Sequence, residues 1–205
     1  MDEDFRMKLS EYNKVEKLTY SEYCDYLQNK YGIGLCDYMR PSWTKNPKNS
    51  RTKEGLYAHH KYEDHAIMLS KPEYAKKNPY EWQKKENIVY CNLLEHLFLH
   101  ILICENPSEE KNENEKVGLG GVLNFIVPEL NDVYSGWVSK KAWQNNCHNV
   151  IIDDKDVYMV LLKRFKELYD NNPFIVSNLY RSYNEQFGIW SNDNNSKLYE
   201  EIAQL

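Results

Sequence analysis

The sequence predicts an α+β fold that is mainly helical, with one small motif of two strands and a helix embedded among the helices. The chain has 17 tyrosines but only eight glycines in 205 residues, a composition typical of a compact, aromatic-rich helical protein. Helix-capping sequences precede several amphipathic stretches. Two short segments near the middle of the chain have instead the β-branched and aromatic character of strands.

The N-terminal part predicts one clear helix followed by a basic loop. Thr19 and Glu22 have the spacing of a capping box, and Gly32 is expected to end the helix. Residues 40–55 read RPSWTKNPKNSRTKEG, which is rich in proline, asparagine, serine and lysine and has no hydrophobic period. We expect this loop to lead directly into the first strand.

The two predicted strands, 57–60 and 87–91, are separated by a long insert. Pro72 and Pro79 each stand where a short helix could begin. Trp82, in the same insert, is a candidate stacking platform for a nucleic-acid base, although its residue type favours a core or lid position.

The helix after the second strand carries two histidines. Asn92 and Glu95 have the spacing of a capping box, which places the helix start at residue 93. His96 and His100 are then four residues apart on one helix face, so both rings can reach a single metal ion.

The remaining sequence is interpreted as an acidic and polar linker, 107–120, and a mainly helical C-terminal module, 121–205. Residues 122–127 fit a strand or a buried helix. Asp153 or Asp154 can cap an amphipathic helix, and helical segments follow at 174–187 and 196–205. The GLGG sequence at 118–121 is not a dinucleotide fingerprint, because no strand and helix flank it in the required order.

The order of the polar residues in the central motif resembles the ββα-metal core of the HNH (His-Me finger) endonucleases. His59-His60 is followed by Asn87 at the head of a strand, and His96 and His100 lie nine and thirteen residues later. The resemblance covers about forty of the 205 residues. We expect the core to lie at about 55–104, within an N-terminal part, 1–106, that also holds the N-terminal helices and the basic loop.

The resemblance implies a metal-dependent endonuclease. In that family's pattern His60 would be the general base, and Asn87 would orient it or support the site. His59, His96 and His100 would hold one divalent ion, for which Zn²⁺, Ni²⁺, Mn²⁺ and Mg²⁺ are candidates; three imidazoles favour the first three. This chain lacks the cysteine knuckle frequent in the family.

The roles of the residues near the histidine pair depend on the local path of the backbone. Adjacent residues of a strand face opposite sides, so His59 and His60 cannot both point at one ion unless the strand bends. Glu63, Asp64 and His65 follow closely and are candidates for auxiliary ligands or supporting partners. The sequence nevertheless favours placing them in a solvated hairpin.

The charge distribution suggests a nucleic-acid partner, although the whole chain carries a net charge of −5. Residues 40–85 contain eleven lysines and arginines against five acidic residues. Such a basic region is what an anionic ligand would need, and a solvated basic face is the simpler alternative. The resemblance favours DNA over RNA. The candidate backbone contacts are Lys61, Lys76, Lys77, Lys84 and Lys85.

Two rival interpretations belong to other functional classes. One is a catalytically inactive ββα-metal binding or regulatory protein, phage-encoded or associated with defence. The other is a structural zinc domain whose ligands leave no open position. In the nuclease interpretation, the C-terminal helices would serve as a specificity, dimerisation or partner module, so they could mediate a homodimer or bind a protein partner.

Cysteine usage and hydropathy indicate a cytoplasmic protein that does not enter a membrane. The five cysteines are scattered without a C-x-x-C pair, which favours reduced thiols and argues against a zinc ribbon. No apolar run has the length of a transmembrane helix, and the first residues lack the apolar core of a signal peptide. His148 has no nearby partner of catalytic type and is interpreted as structural.

Overall fold

The computed structural model describes residues 5–186 and 192–205, and it confirms a mainly helical α+β fold. The predicted helical segment 174–187 ends at Phe187, which lies outside the described residues. The helices are α1 (Leu9–Val15), α2 (Tyr20–Tyr31), α3 (Pro72–Ala75), α4 (Leu93–Glu105), α5 (Leu119–Gly121), α6 (Val127–Tyr134), α7 (Ala142–Asn149), α8 (Lys155–Leu168), α9 (Pro173–Ser177), α10 (Tyr183–Gln186) and α11 (Asn192–Ala203).

The two predicted strands pair in a two-stranded antiparallel sheet. Strand β1 is Tyr57–His60 and strand β2 is Ile88–Cys91. Their register pairs His59 with Val89 and His60 with Ile88. Asn87, predicted as the first residue of the second strand, ends a 3₁₀ turn immediately before it.

Helix α4 follows β2 after one residue and lies in the hydrophobic core. The predicted capping box is present, since Asn92 accepts from the Glu95 amide and Glu95 accepts from the Asn92 amide. Leu97, Phe98 and Ile101 are fully buried. α4 packs against α2, against α8 and against the helical segment Val122–Ile126. The helix that carries His96 and His100 is therefore largely buried.

The segment predicted as a strand or a buried helix is helical. Val122–Ile126 forms a π-helical segment that joins α5 to α6 in one continuous run. Pro128 lacks an N–H group and crowds the carbonyl four residues earlier, and the wider π turns lie directly before it.

The linker and the C-terminal helices contact the N-terminal part. Asn112 donates its backbone N–H to the His65 carbonyl at 2.8 Å, and a carboxylate oxygen of Glu115 accepts from the Ile67 amide at 2.7 Å. Leu97 of α4 and Leu161 of α8 belong to the same hydrophobic cluster. The division into an N-terminal core, a linker and a C-terminal module stays a prediction.

Asp154 precedes α8 as predicted but does not cap it with its side chain. Its carboxylate instead accepts two hydrogen bonds from the Arg6 guanidinium, in a bidentate salt bridge with N–O distances of 2.9 and 2.6 Å. Among the described residues, no helix combines the length and the apolar character needed to cross a membrane.

The Asn92 cap should be worth more than an ordinary surface cap. Asn92 is buried and its amide also donates to the Phe5 carbonyl at 2.8 Å, so Asn92→Ala removes a cap and leaves that carbonyl without this donor. We expect a loss of about 1–2 kcal/mol in the free energy of unfolding, measured by urea denaturation. Thr19→Ala, which removes the exposed capping box of α2, is the matched control and should cost less. Equal losses would contradict this account of Asn92.

Candidate metal centre

The three histidines predicted as metal ligands meet in the structure, and a glutamate joins them. His59 comes from β1, His96 and His100 from successive turns of α4, and Glu63 from the 3₁₀ turn after β1. One donor atom from each residue can be chosen so that all four lie within 4.8 Å of one another. The histidine ring centroids are 4.9–5.2 Å apart. These four residues are called the histidine–glutamate cluster below.

Glu63 is the member that the sequence interpretation placed elsewhere. Its side chain is 16% exposed rather than solvated, and its Oε2 lies 3.6 Å from His59 Nδ1 and 3.3 Å from His100 Nε2. The 3₁₀ turn Lys61–Asp64 begins directly after β1 and folds the chain back, which brings residue 63 under residue 59. The four-residue spacing between His59 and Glu63 was no signal for this contact, because it brings side chains together on a helix and His59 lies on a strand.

His59 and His60 keep consecutive pairing with β2, and adjacent residues of such a strand face opposite sides. The His59 ring packs against His96 and His100, with centroid distances of 5.2 Å, whereas the His60 ring packs against Tyr38 at 4.4 Å. Glu63 nevertheless reaches both sides. Its Oε1 lies 3.6 Å from His60 Nδ1, while its Oε2 lies 3.6 Å from His59 Nδ1. The carboxylate therefore links two imidazoles that the strand separates.

Tyr20 contacts the ring of His59, a role that the sequence interpretation missed. Its hydroxyl lies 2.8 Å from His59 Nε2 and within 3.2 Å of the backbone carbonyls of His60 and Lys61. Burial raises the pKa of Tyr20 well above its ordinary value, so the hydroxyl stays protonated. When the hydroxyl donates to one of these carbonyls, it can accept from His59 Nε2–H. That tautomer has the lone pair of His59 on Nδ1, the nitrogen that lies 3.6 Å from Glu63.

Gln83 holds His60 in the same manner. The Gln83 amide nitrogen donates to the Leu69 carbonyl at 3.2 Å, so its Oε1 is the atom that accepts from His60 Nε2 at 3.1 Å. The free lone pair of His60 is then on Nδ1. The predicted partner Asn87 does not make this contact, because its side-chain amide donates to the Glu81 carbonyl at 2.8 Å. Any catalytic role of Asn87 stays a prediction.

Burial sets the protonation of the cluster. Desolvation is the largest cause that lowers the pKa of His59, well below its ordinary value, and neighbouring imidazoles lower it further. Desolvation and His100 lower the pKa of His96 to about 3. Burial would raise the pKa of Glu63, but the surrounding imidazoles outweigh burial and lower it. His59 and His96 are therefore neutral at neutral pH, and Glu63 is a carboxylate.

The donor atoms fit a transition-metal ion. The Nδ1 atoms of His59 and His60 are buried and have no hydrogen-bond partner within the described part of the chain. A buried nitrogen lone pair without a donor is costly unless a ligand satisfies it. Three imidazoles and one carboxylate suit Zn²⁺, Ni²⁺ or Mn²⁺ better than Mg²⁺, which prefers oxygen ligands. Glu63 and His96 are partly exposed, so the cluster is accessible from their side.

The candidate nucleic-acid contacts are dispersed, and several are paired. Lys61 binds Asp25 at 2.7 Å, Lys84 binds Asp37 at 3.1 Å and Lys85 lies 3.9 Å from Glu86. These pairs reduce the local positive charge. Lys76 and Lys77 are exposed.

Trp82 is half-buried and stacks on Tyr62, with ring planes 4° apart and centroids 4.8 Å apart. One face of the indole is therefore occupied by a protein ring rather than open to a base.

Comparison with models of protein families, with curated proteins and with solved structures gave no match. The chemistry of the site therefore has to be argued from its own geometry.

The cluster should bind one transition-metal ion per chain. We expect His96→Ala to abolish binding, because it removes one of the three imidazole ligands, and Glu63→Gln to weaken it by removing the anionic ligand. Elemental analysis after dialysis and titration with Zn²⁺ would measure both. His65→Gln, which changes a histidine outside the cluster, should bind like the wild type. A wild-type protein that takes up no metal would contradict the assignment.

The metal-free protein should lose stability in mild acid. An unfolded histidine has a pKa near 6.5, above the folded values of His59 and His96, so the unfolded state binds more protons below that pH. The free energy of unfolding should fall between pH 7 and 5. Burial raises the pKa of Asp132 to about 6, which has the opposite effect on stability, so the contribution of His96 is isolated as the difference from His96→Gln. If that variant shows the same pH dependence, His96 is not the source.

Proposed function

We propose that this chain is a metal-dependent endonuclease of the HNH type that hydrolyses phosphodiester bonds in DNA, with His60 as the general base. The observation that supports the proposal best is the orientation of His60. Its Nε2 is held by Gln83, and its Nδ1 carries the lone pair and faces Glu63 at the edge of the cluster. A general base needs a free lone pair, and the role is supported by His60 Nδ1 having no hydrogen-bond partner within the described residues.

The division of labour among the residues follows from their contacts. His59, His96, His100 and Glu63 would hold the ion, which when bound would polarise the scissile phosphate and stabilise the leaving oxygen. His60 would take a proton from the attacking water at Nδ1. The Glu63 carboxylate, 3.6 Å away, would then stabilise the imidazolium that forms.

Access to the base sets a condition on this mechanism. His60 is 0% exposed, so the phosphodiester cannot rest against its ring. The water that His60 deprotonates would have to enter beside Glu63 and His96, which are partly exposed. The DNA backbone would lie over that side, and the exposed Lys76 and Lys77 are candidates to bind its phosphates.

A structural metal site is the second candidate, and one observation favours it. Glu63 offers a fourth protein ligand, and four ligands complete a tetrahedral zinc site without an open position. In this alternative the ion stabilises the fold, as in a binding or regulatory protein, and His60 has no catalytic partner. The two candidates differ in whether the ion keeps a position for water.

The nuclease proposal predicts that His60→Ala abolishes cleavage while metal binding persists. We expect a loss of about 10²–10⁴-fold in the nicking rate of supercoiled plasmid, because the base is removed and the ligands remain. The assay compares Mg²⁺, Mn²⁺, Ni²⁺ and Zn²⁺, with single-stranded RNA as an alternative substrate. His65→Gln, outside the cluster, is the control and should cut like the wild type.

Two results would reject the proposal. A folded His60→Ala protein that cuts at the wild-type rate would remove His60 from the mechanism. A metal-loaded wild type that cuts no nucleic acid, but unfolds at a higher temperature than the metal-free protein, would favour the structural site.

A further inference from the structure

The GLGG segment at 118–121, to which the sequence interpretation gave no role, lies directly against the ring of His100. Gly121 approaches so closely that a Cβ atom built on it would lie less than 3.0 Å from Cε1, Nδ1 and Nε2 of that ring. Atoms of a folded protein do not approach so closely, so any side chain at this position would have to displace the imidazole. Glycine at 121 is therefore required by the position of His100.

Gly118 contacts the same ring through its carbonyl. His100 Nδ1 donates to the Gly118 carbonyl oxygen at 3.2 Å, which places the proton on Nδ1. The lone pair is then on Nε2, the nitrogen that lies 3.3 Å from Glu63 Oε2 inside the cluster. Gly118 has φ of +78°, a conformation that residues with a side chain rarely adopt. The backbone that presents this carbonyl thus also depends on glycine.

Gly120, between these two glycines, has room for a side chain. A Cβ at Gly120 would find its nearest neighbour, the Asn124 side-chain nitrogen, at 3.7 Å, which is an ordinary contact distance. The requirement for glycine is therefore confined to the positions that touch His100, not shared by the whole segment.

We propose that Gly118 and Gly121 are positioning residues of the metal centre: one fixes the tautomer of His100 and the other forms the wall against which its ring rests. The inference rests on the proposed metal centre but not on nuclease activity. Hydrogen bonds from the second nitrogen of a ligating histidine commonly orient the ring, and their loss costs about 10–100-fold in metal affinity.

The test compares Gly121→Ala with Gly120→Ala in the full chain. Gly121 has helical φ and ψ of −61° and −50°, so alanine suits its backbone and by helix propensity alone would be neutral or stabilising. We expect Gly121→Ala to lower Zn²⁺ affinity at least 10-fold and to change the visible absorption of the Co²⁺-substituted protein. Gly120→Ala should leave both unchanged.

A double-mutant cycle in the metal-free protein tests the contact independently. If the added methyl group clashes with the imidazole, Gly121→Ala should lower the unfolding temperature in the wild-type background and have no such effect in a His100→Ala background. Equal Zn²⁺ affinities for Gly121→Ala and Gly120→Ala, or a destabilisation unaffected by His100→Ala, would overturn the inference.

The outcomes separate this inference from the proposed function. A wild-type protein that binds no metal would remove the metal centre and the inference together. A wild type that binds metal and cuts DNA, with Gly121→Ala equal to Gly120→Ala, would remove the inference alone.

Discussion

The structure depends on pairing the polar atoms of a buried cluster of imidazoles around one carboxylate. Burying unpaired polar groups is costly, so each ring needs a partner at both nitrogens. Three of the rings have one nitrogen held by the surrounding protein, through the Tyr20 hydroxyl, the Gln83 amide oxygen and the Gly118 carbonyl. Their other nitrogens face Glu63. This arrangement is typical of a site prepared for a cation, because the free lone pairs converge where a carboxylate adds negative charge.

Helix α2 ties this arrangement to the scaffold at two points. Its first residue, Tyr20, reaches His59, and its last turn supplies Lys30 and Tyr31, which bind the buried Glu95 carboxylate at 2.8 and 2.9 Å. Burial raises the pKa of Glu95, and Lys30 opposes that effect. Since Glu95 also completes the α4 capping box, α2 fixes both the start of the histidine-bearing helix and one of the rings that faces it.

The local features of the sequence were sufficient to predict the local structure. The capping boxes at Thr19 and Asn92, the first strand and the end of α2 at Gly32 depend on neighbours a few residues apart, and all were confirmed. The meeting of His59 with His96 and His100 was predicted from the resemblance to the HNH core, and the structure brings the three together.

What could not be predicted depends on contacts that are distant in sequence or on the exact path of a turn. Gln83, and not the predicted Asn87, contacts the ring of His60. This contact depends on how the insert between the two strands folds back, and hydrophobic periodicity in the sequence does not predict that path. Glu63 looked like part of a solvated hairpin because charged residues surround it; the 3₁₀ turn then carried it inward. GLGG had no signal at all, since the requirement for glycine at 121 arises from the ring of His100, 21 residues earlier in the chain.

Besides Gly121, which lies against His100, the C-terminal part of the chain supports the cluster through Tyr57. The His96 ring stacks on Tyr57 with centroids 6.1 Å apart, and the Tyr57 hydroxyl donates to Glu129 of α6 at 2.8 Å. Glu129 also binds His148 of α7, the histidine interpreted as structural, at 2.9 Å. Because Glu129 holds the tyrosine that stacks on His96, and Gly121 lies against His100, the histidine positions depend on packing between the two predicted modules. A separate ββα unit of about forty residues would lack these two contacts.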